Sequence, residues 1–408
     1  MTITFLTARY PPDVRGGGEI STAITAEALV RMGYPVTVLC GARADSTQTN
    51  HGVKIVRSQA LLPWWGKPLH EAAVSVRLAR VVEALLAKSG RPDILHAHEF
   101  RSALSLAHLA HPARIVTIRD FAPICGTTNN LWWDGSSCDG CTWTNVLFRC
   151  HRVAEASLPR KPFRVWQYKG NLPHRLAAFQ GLPVHVYTSD CLRERVRPRL
   201  QTPAGVKSFV IPNAIDPGWL SAAALPYPSA PVVSAVGRLE TSKGTAVLLT
   251  AFSAVRQAVP TSHLRLVGGG EITRFQTLAR TLGLQEAVTF HGTCSYPQVR
   301  DIIDASRIIV SPHLWEEPFG RVALEAGARR RPLVTSNLGG IRELTTPSTA
   351  VVVPSNDPEK LGQALTELLL DPARAERIGQ AARLHVEKTY SAEHIARRHC
   401  DLYSGLPR

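Results

Sequence analysis

Short runs of Val, Ile, Leu and Phe alternate along the chain with longer stretches whose apolar positions recur at helical spacing. That is the grammar of strand–helix–strand units built around parallel sheets. In the first half the runs are Ile3–Thr7, Val36–Leu39, Lys54–Val56, Ile94–His96, Ile115–Ile118, Val184–Tyr187 and Phe209–Ile211. In the second half they are Val232–Val236, Leu264–Val267, Val288–Phe290, Ile308–Val310, Leu333–Thr335 and Val351–Val353. Nearly every run is followed by Gly, Ser, Asn or Pro and then by a helical stretch. The pattern predicts an α/β protein with two Rossmann-like, doubly wound domains.

The turn-rich segment 213–230 carries Pro217, Gly218, Pro226 and Pro228 and little periodicity, which marks a linker. The predicted division is a first domain at 1–212, with a cysteine-bearing insertion at 121–160, a second at 228–388, and a closing helical segment at 389–408. A length of 408 residues suits two cores, and 44% hydrophobic with 19% charged residues is ordinary for a globular chain. No stretch is long and apolar enough to span a bilayer. The first residues, Met1-Thr2-Ile3-Thr4-Phe5, read as a buried strand rather than a signal peptide, so the expected location is cytoplasmic, at most peripheral on the inner membrane face.

The net charge of +15 is unevenly placed: residues 1–210 hold 26 Lys+Arg against 14 Asp+Glu, and 143–200 hold 11 against 3. Such a patch suits an anionic membrane surface, a phosphate-bearing acceptor or nucleic acid, and equally a solubilising face.

The chemistry concentrates late in the chain. Trp315-Glu316-Glu317-Pro318-Phe319-Gly320-Arg321-Val322-Ala323-Leu324-Glu325 holds two carboxylates, Glu317 and Glu325, at a fixed separation. Pro318 suits a first helical turn, and such a helix would set Glu325 about two turns below Glu317 on nearly one face. A helix start also offers free N–H groups to a phosphate. Upstream, Gly237-Arg238-Leu239-Glu240-Thr241-Ser242-Lys243-Gly244 follows a strand. Cations at a strand's carboxyl end, just before a helix, oppose the dipole unless an anion is present, and there they can neutralise a diphosphate leaving group. A further strand-to-glycine turn, Gly268-Gly269-Gly270, lets backbone approach a ligand. His291 and Ser336-Asn337-Leu338-Gly339-Gly340 continue the series.

Together these ordered motifs resemble the retaining glycosyltransferases of family four, with their E-x7-E signature and GT-B fold, in which two Rossmann-like domains face each other across a cleft. The resemblance covers nearly the whole chain and is most specific over 232–345. It implies that Glu317 contacts the donor sugar, Glu325 binds the ribose hydroxyls, and Arg238 and Lys243 hold the donor phosphates. It places Gly237, Gly268, Phe319 and Gly320 about the donor and His291 near the nucleotide base. The loop Tyr10–Glu19 lacks the G-x-G-x-x-G fingerprint but resembles the family's glycine-rich first loop, with Gly17 and Gly18 approaching the donor phosphate and acceptor.

The chain departs from the family in three places. Arg119 stands where a donor-contacting His is usual, with Asp120 keeping the acidic neighbour. An Arg cannot act as a base at neutral pH but can bind an anion. Arg329-Arg330-Arg331 replaces a small residue and suggests an anion contact or a solvated turn. Cys125, Cys138, Cys141 and Cys150, set among Trp132, Trp133 and Trp143, have a spacing that can supply four thiolates to zinc, with an iron–sulfur cluster or packed reduced thiols as alternatives. His98 and Glu99, ending a strand, are candidates to line the acceptor side.

The resulting expectation is a retaining glycosyltransferase moving a sugar from a nucleotide-diphosphate donor to a hydroxyl acceptor (glycan, lipid-linked or small molecule). No cofactor is expected for catalysis, zinc having at most a structural role. No D-x-D pair occurs in the sequence, which leaves the leaving group to cationic side chains and helix dipoles. Rival readings are a sugar-nucleotide epimerase or phosphorylase of the same fold, and a zinc-bearing nucleic-acid-binding protein.

Overall fold

The computed structural model describes residues 1–66, 70–132, 137–150, 153, 158–221 and 226–407. Trp133, parts of the 121–160 insertion and residues 222–225 of the expected linker lie outside the described residues. The chain divides into two compact units, Met1–Ala214 with Ala392–Arg408, and Ile215–Ser391.

The first unit is built on strands β1 (Ile3–Thr7), β2 (Val36–Gly41), β3 (Ser46–Asn50), β4 (Val53–Ser58), β5 (Ile94–Ala97), β6 (Arg114–Ile118), β7 (Val184–Tyr187) and β8 (Lys207–Val210). They form one sheet in the order β3-β4-β2-β1-β5-β6-β7-β8. All pairs are parallel except β3 with β4. Strands β1, β2 and β5 are almost wholly buried, as near-continuous apolar runs must be when helices cover both faces. The helix Ala392–Ser404 belongs to this unit. Its Ala392, Ile395, Ala396 and Tyr403 share a core with Ala23, Ala26 and Leu29 of the helix Gly17–Arg31.

Strand β3 has no counterpart in the sequence reading. Its residues, Ser46-Thr47-Gln48-Thr49-Asn50, are polar and wholly exposed, so hydrophobic patterning cannot reveal it. It exists because His51 and Gly52 both take positive φ, 47° and 78°, the conformation of a two-residue turn that fits strand twist.

The second unit carries β9 (Val232–Val236), β10 (His263–Val267), β11 (Val288–Gly292), β12 (Ile308–Ser311), β13 (Leu333–Ser336) and β14 (Ala350–Val353), all parallel, in the order β11-β10-β9-β12-β13-β14. The expected linker is partly structured: the helix Pro217–Ser221 joins this unit, and Trp219 is buried with Phe319, Leu324 and Ile341.

The expected helix start at Pro318 is corrected. The helix is Arg321–Ala328, and Gly320 at its N-cap has φ 86°. An L side chain is strained there, and a Cβ would lie 2.6 Å from Ile341, so the chain turns sharply instead of extending the helix backward. Glu317 therefore sits in the loop before the helix, and Glu325 alone is helical.

Each sheet has one point where strand order reverses. In the first it lies between β1 and β5, in the second between β9 and β12. In open α/β sheets, ligands bind beyond the carboxyl ends of the strands at that switch. Among the described residues, no helix is long and apolar enough to cross a membrane.

Candidate active site

The second switch point gathers most of the expected donor residues. Beyond β9 and β10 the backbone ladder continues through the glycine turns: Gly237 N–H bonds Val267 O at 2.9 Å, Leu239 N–H bonds Gly269 O at 2.8 Å, and Gly268 N–H bonds Gly292 O at 2.8 Å. Gly237 and Gly268 thus make a flat backbone shelf. Arg238, next to Gly237 and 62% exposed, is held by Glu240 at 2.5 Å. Glu240 in turn accepts from the Ser242 hydroxyl at 2.9 Å. Partial burial raises the Glu240 pKa, but the Arg238 bond outweighs it, and the carboxylate ends below its ordinary value.

The loop after β12 lies against this one. Leu314 N–H donates to Ser242 O at 2.8 Å, and Lys243 forms a short ion pair with Glu317 while its ammonium sits 5.1 Å above the Trp315 ring. The Glu317 carbonyl accepts from Gly340 N–H at 2.7 Å, so the glycine pair after β13 fixes the backbone that presents the carboxylate. Following Gly320, the helix Arg321–Ala328 begins with no side-chain cap, a kind of helix start that suits an anion.

Glu325 is buried one layer deeper. Arg321 lies 3.5 Å from its carboxylate and also donates to the Tyr296 hydroxyl at 2.8 Å. Burial raises the Glu325 pKa, Arg321 and a hydrogen bond from Tyr296 working against it. Phe319 is buried in the apolar cluster around Trp219 and Ile341. Its expected place at the donor is corrected: it anchors the loop. His291 is an exposed residue of β11 whose pKa is lowered by partial burial and by Arg265.

At the first switch point, Gly17 and Gly18 open the helix Gly17–Arg31, and a Cβ on Gly18 would stand 3.5 Å from Arg119 Cδ. The loop before them is braced by buried Arg57, which donates to the carbonyl of Tyr10 at 3.2 Å and to that of Pro11. Arg119 donates from Nε to His98 O at 3.1 Å, lies 3.0 Å from His98 Nδ1 through Nη2, and bonds Asn213. Asp120 accepts from Ala122 N–H at 2.8 Å, and burial raises its pKa.

The acceptor-side expectation for His98 and Glu99 is corrected. His98 is buried behind Arg119. Glu99 caps the helix Phe100–Leu106, accepting from Arg101 N–H at 2.8 Å and Ser102 N–H at 2.6 Å, so both oxygens are engaged.

The Arg329–Arg331 run is corrected as well. Arg329 forms a buried two-pronged pair with Asp304 at 2.7 and 2.8 Å and also bonds Trp219 O. Arg331 donates to Asp304 O at 2.7 Å. These two guanidiniums tie the end of the helix Tyr296–Asp304 to the turn before β13, while Arg330 between them is exposed, as a solvated turn requires.

Cys125, Cys138, Cys141 and Cys150 all line one small cavity with Val146 and Tyr168. They are free thiols, and among the described residues no group of three His, Cys, Asp or Glu is arranged to hold a metal ion. The metal-ligand expectation is corrected to that extent. Burial pushes the Cys141 thiol up to about 11, so it packs as a neutral group.

Sequence reasoning missed Glu240, Trp315, Tyr296, Arg321 and Asn213. Glu240, Trp315 and Arg321 lie inside the quoted motifs and could have been weighed there. Tyr296 and Asn213 come from distant segments, with no local signal.

Comparison with known proteins identifies the family of this fold. Residues 15–219 match the model of Glycosyltransferase Family 4, and residues 221–385 match that of glycosyl transferases group 1. The chain belongs to glycosyltransferase family 4 and has the GT-B fold. It is 26% identical over 431 residues to a glycogen synthase of Mycobacterium tuberculosis, covering 100% of this chain and 95% of that one. Sucrose-phosphate synthase from Thermosynechococcus elongatus superposes with TM-score 0.73 at 22% identity, over 99% of this chain and 98% of the other. Anabaena HepE, solved with UDP and glucose, gives 0.68 at 18% identity over 99% of both chains.

Proposed function

We propose that this enzyme transfers a sugar, with retention at the anomeric carbon, from a nucleoside-diphosphate sugar to a hydroxyl of a glycan, glycolipid or other glycoconjugate. The observation that carries the reading is the second switch point, where Arg238, Lys243, Glu317 and an uncapped helix start surround one backbone shelf. Arg238, Lys243 and the helix N–H groups offer positive charge to a diphosphate. Glu317, paired with Lys243 in the free protein, is available to a sugar hydroxyl once the diphosphate takes over the ammonium. Glu325 is suited to the ribose hydroxyls from beneath. The complex of HepE with UDP and glucose supports a nucleotide-sugar donor.

In the transfer, the bond from the anomeric carbon to the diphosphate oxygen breaks and the nucleoside diphosphate leaves with the electron pair. The acceptor oxygen bonds the same face of that carbon, and its proton passes to the departing phosphate oxygen. Both cations strengthen their hold as charge grows on the leaving group, which is where they accelerate the step.

A thermal-shift titration against UDP, GDP, ADP and their sugar conjugates tests this reading. Ligand bound only by the folded state raises the melting point. One nucleotide giving a clear shift, abolished in Lys243→Ala, is expected. The absence of any shift with all of them would withdraw the donor assignment, and turnover dependent on inorganic phosphate would favour a phosphorylase.

A further inference from the structure

The segment that follows the cysteine loop presents an aromatic and basic face with no counterpart in the donor chemistry. Two short helices, Trp143–Phe148 and Lys161–Gly170, pack together through Val146, Val165 and Tyr168. Their other sides carry apolar groups in water: Phe148 is 75% exposed, Trp143 58%, Phe163 49%, Trp166 44% and Leu147 43%. On each helix two of these groups share one face. Trp143 and Leu147 are one turn apart on the first helix, and Phe163 and Trp166 one turn apart on the second.

Charge sorts the same way. Neither helix contains an acid, while Arg149, Arg160, Lys161, Arg164 and Lys169 lie in or beside them. Two other cations of the basic stretch are committed inward: Arg175 pairs with buried Glu71, and Arg199 bonds Asn130 and the Cys138 carbonyl. Of the five near the aromatic face, Arg149 and Arg160 are exposed and Lys161, Arg164 and Lys169 partly so, although Arg149 also lies over the Trp132 ring, Arg164 donates to the Tyr168 hydroxyl at 2.8 Å and Lys169 donates to the Cys141 carbonyl. Lys169 stands 5.8 Å from the Trp143 ring, which places a cation at the border of the apolar group.

We infer that this face docks the enzyme on an anionic lipid bilayer, with Trp143, Leu147, Phe148, Phe163 and Trp166 entering the headgroup–acyl boundary and the flanking cations meeting the lipid phosphates. Indole and phenyl rings beside Lys and Arg have the composition of an interfacial anchor. Cationic groups outside the membrane sharpen the preference for acidic lipids. A nucleic acid would draw on the same cations and could stack bases on the rings, but aliphatic Leu147, exposed beside them, favours a lipid phase. Docking needs neither donor nor acceptor, so it stands or falls separately from the proposed reaction.

The experiment uses the full chain with vesicles of phosphatidylcholine alone or mixed equally with phosphatidylglycerol, read by co-sedimentation and by quenching of tryptophan fluorescence with brominated lipid. Binding to the acidic vesicles with quenching is expected, reduced at least tenfold by Trp143→Ser/Phe148→Ser/Phe163→Ser. A variant with Arg160→Glu and Lys161→Glu is expected to lose the preference for acidic lipid. Unchanged melting points check that the variants fold. If the triple variant does not fold, Phe148→Ser alone, at the most exposed position, carries the comparison. Absence of vesicle binding at low salt would overturn the inference. So would binding indifferent to the aromatic substitutions, or oligonucleotide binding or self-association through this face without vesicle binding.

Discussion

Arg119 fixes the tautomer of His98. A guanidinium only donates, so the 3.0 Å contact from Nη2 requires a bare Nδ1 on His98 and leaves its proton on Nε2. Arg119 also donates to the His98 carbonyl and to Asn213, joining the ends of three segments. Arg119→Lys keeps the charge but cannot make all three bonds. It is expected to lower stability by about 1–3 kcal/mol, the usual cost of stranding buried polar groups. Urea denaturation measures this, and an unchanged midpoint with a weakened donor affinity would mean that Arg119 serves the ligand and not the fold.

Acid should destabilise the first unit through its buried histidines. His96 hydrogen-bonds Tyr403 and Thr117 at 2.7 Å each. Burial and neighbouring His399 hold its pKa well below the ordinary value, and burial brings His399 down to about 3 and His185 to about 4. The unfolded chain takes up these protons near pH 6.5 and the folded one does not. Stability is therefore full above about 6.5 and falls as pH drops toward the folded values, with a slope of up to about 1.4 kcal/mol per pH unit for each group. His399→Leu removes a ring whose Nδ1 is buried without a partner. Melting curves between pH 7.5 and 5 should flatten in that variant, and parallel curves would show that His399 does not carry the effect.

Much of this architecture is legible in the sequence because strands buried on both faces must be continuous apolar runs. The runs at Ile3–Thr7, Val184–Tyr187 and Val232–Val236 coincide with β1, β7 and β9. Strand β3 escapes because its side chains meet only water. The glycine turns and Arg238, Lys243 and Glu317 are legible because each follows a strand closely. Helix geometry misleads at Pro318, where tertiary contact with Ile341 imposes the turn at Gly320. The Arg329–Arg331 run misleads more deeply: whether an arginine meets an anion or a buried aspartate depends on Asp304, which no local pattern connects to it.

That buried pair gives a stability prediction. Asp304→Ala leaves Arg329 charged and uncompensated in the core, which costs about 3–5 kcal/mol. Adding Arg329→Met should recover much of the loss, since an apolar pair of similar volume is tolerated there. Arg330, exposed between its two buried neighbours, should be replaceable by Ala within about 0.5 kcal/mol. Chemical denaturation of the three variants checks the pattern; equal losses in Asp304→Ala and Arg330→Ala would contradict it.

Cys141 should be slow to react. With its thiol pushed up to about 11, its alkylation by iodoacetamide at pH 8 should run about a hundredfold below a free thiol. A chelator should leave that rate unchanged. Faster alkylation with chelator, or release of one zinc per chain, would show instead that the four cysteines of this cavity close on a metal.

The Lys243–Glu317 ion pair separates phosphate binding from sugar binding. In the free protein the carboxylate occupies the ammonium that the donor diphosphate is proposed to take. Lys243→Ala removes a cation from the diphosphate seat and should weaken binding of the free nucleoside diphosphate about tenfold or more. Glu317→Gln instead releases Lys243 from its partner. Affinity for the nucleoside diphosphate should stay level or improve, while turnover of the nucleotide sugar falls by about a hundredfold or more as the sugar loses an aligning carboxylate. Calorimetry with the nucleoside diphosphate and a transfer assay with the sugar conjugate read the two effects separately. Parallel losses of affinity in both variants would mean that Glu317 acts only by holding Lys243 in place, and the sugar contact would then have to be sought on another side chain.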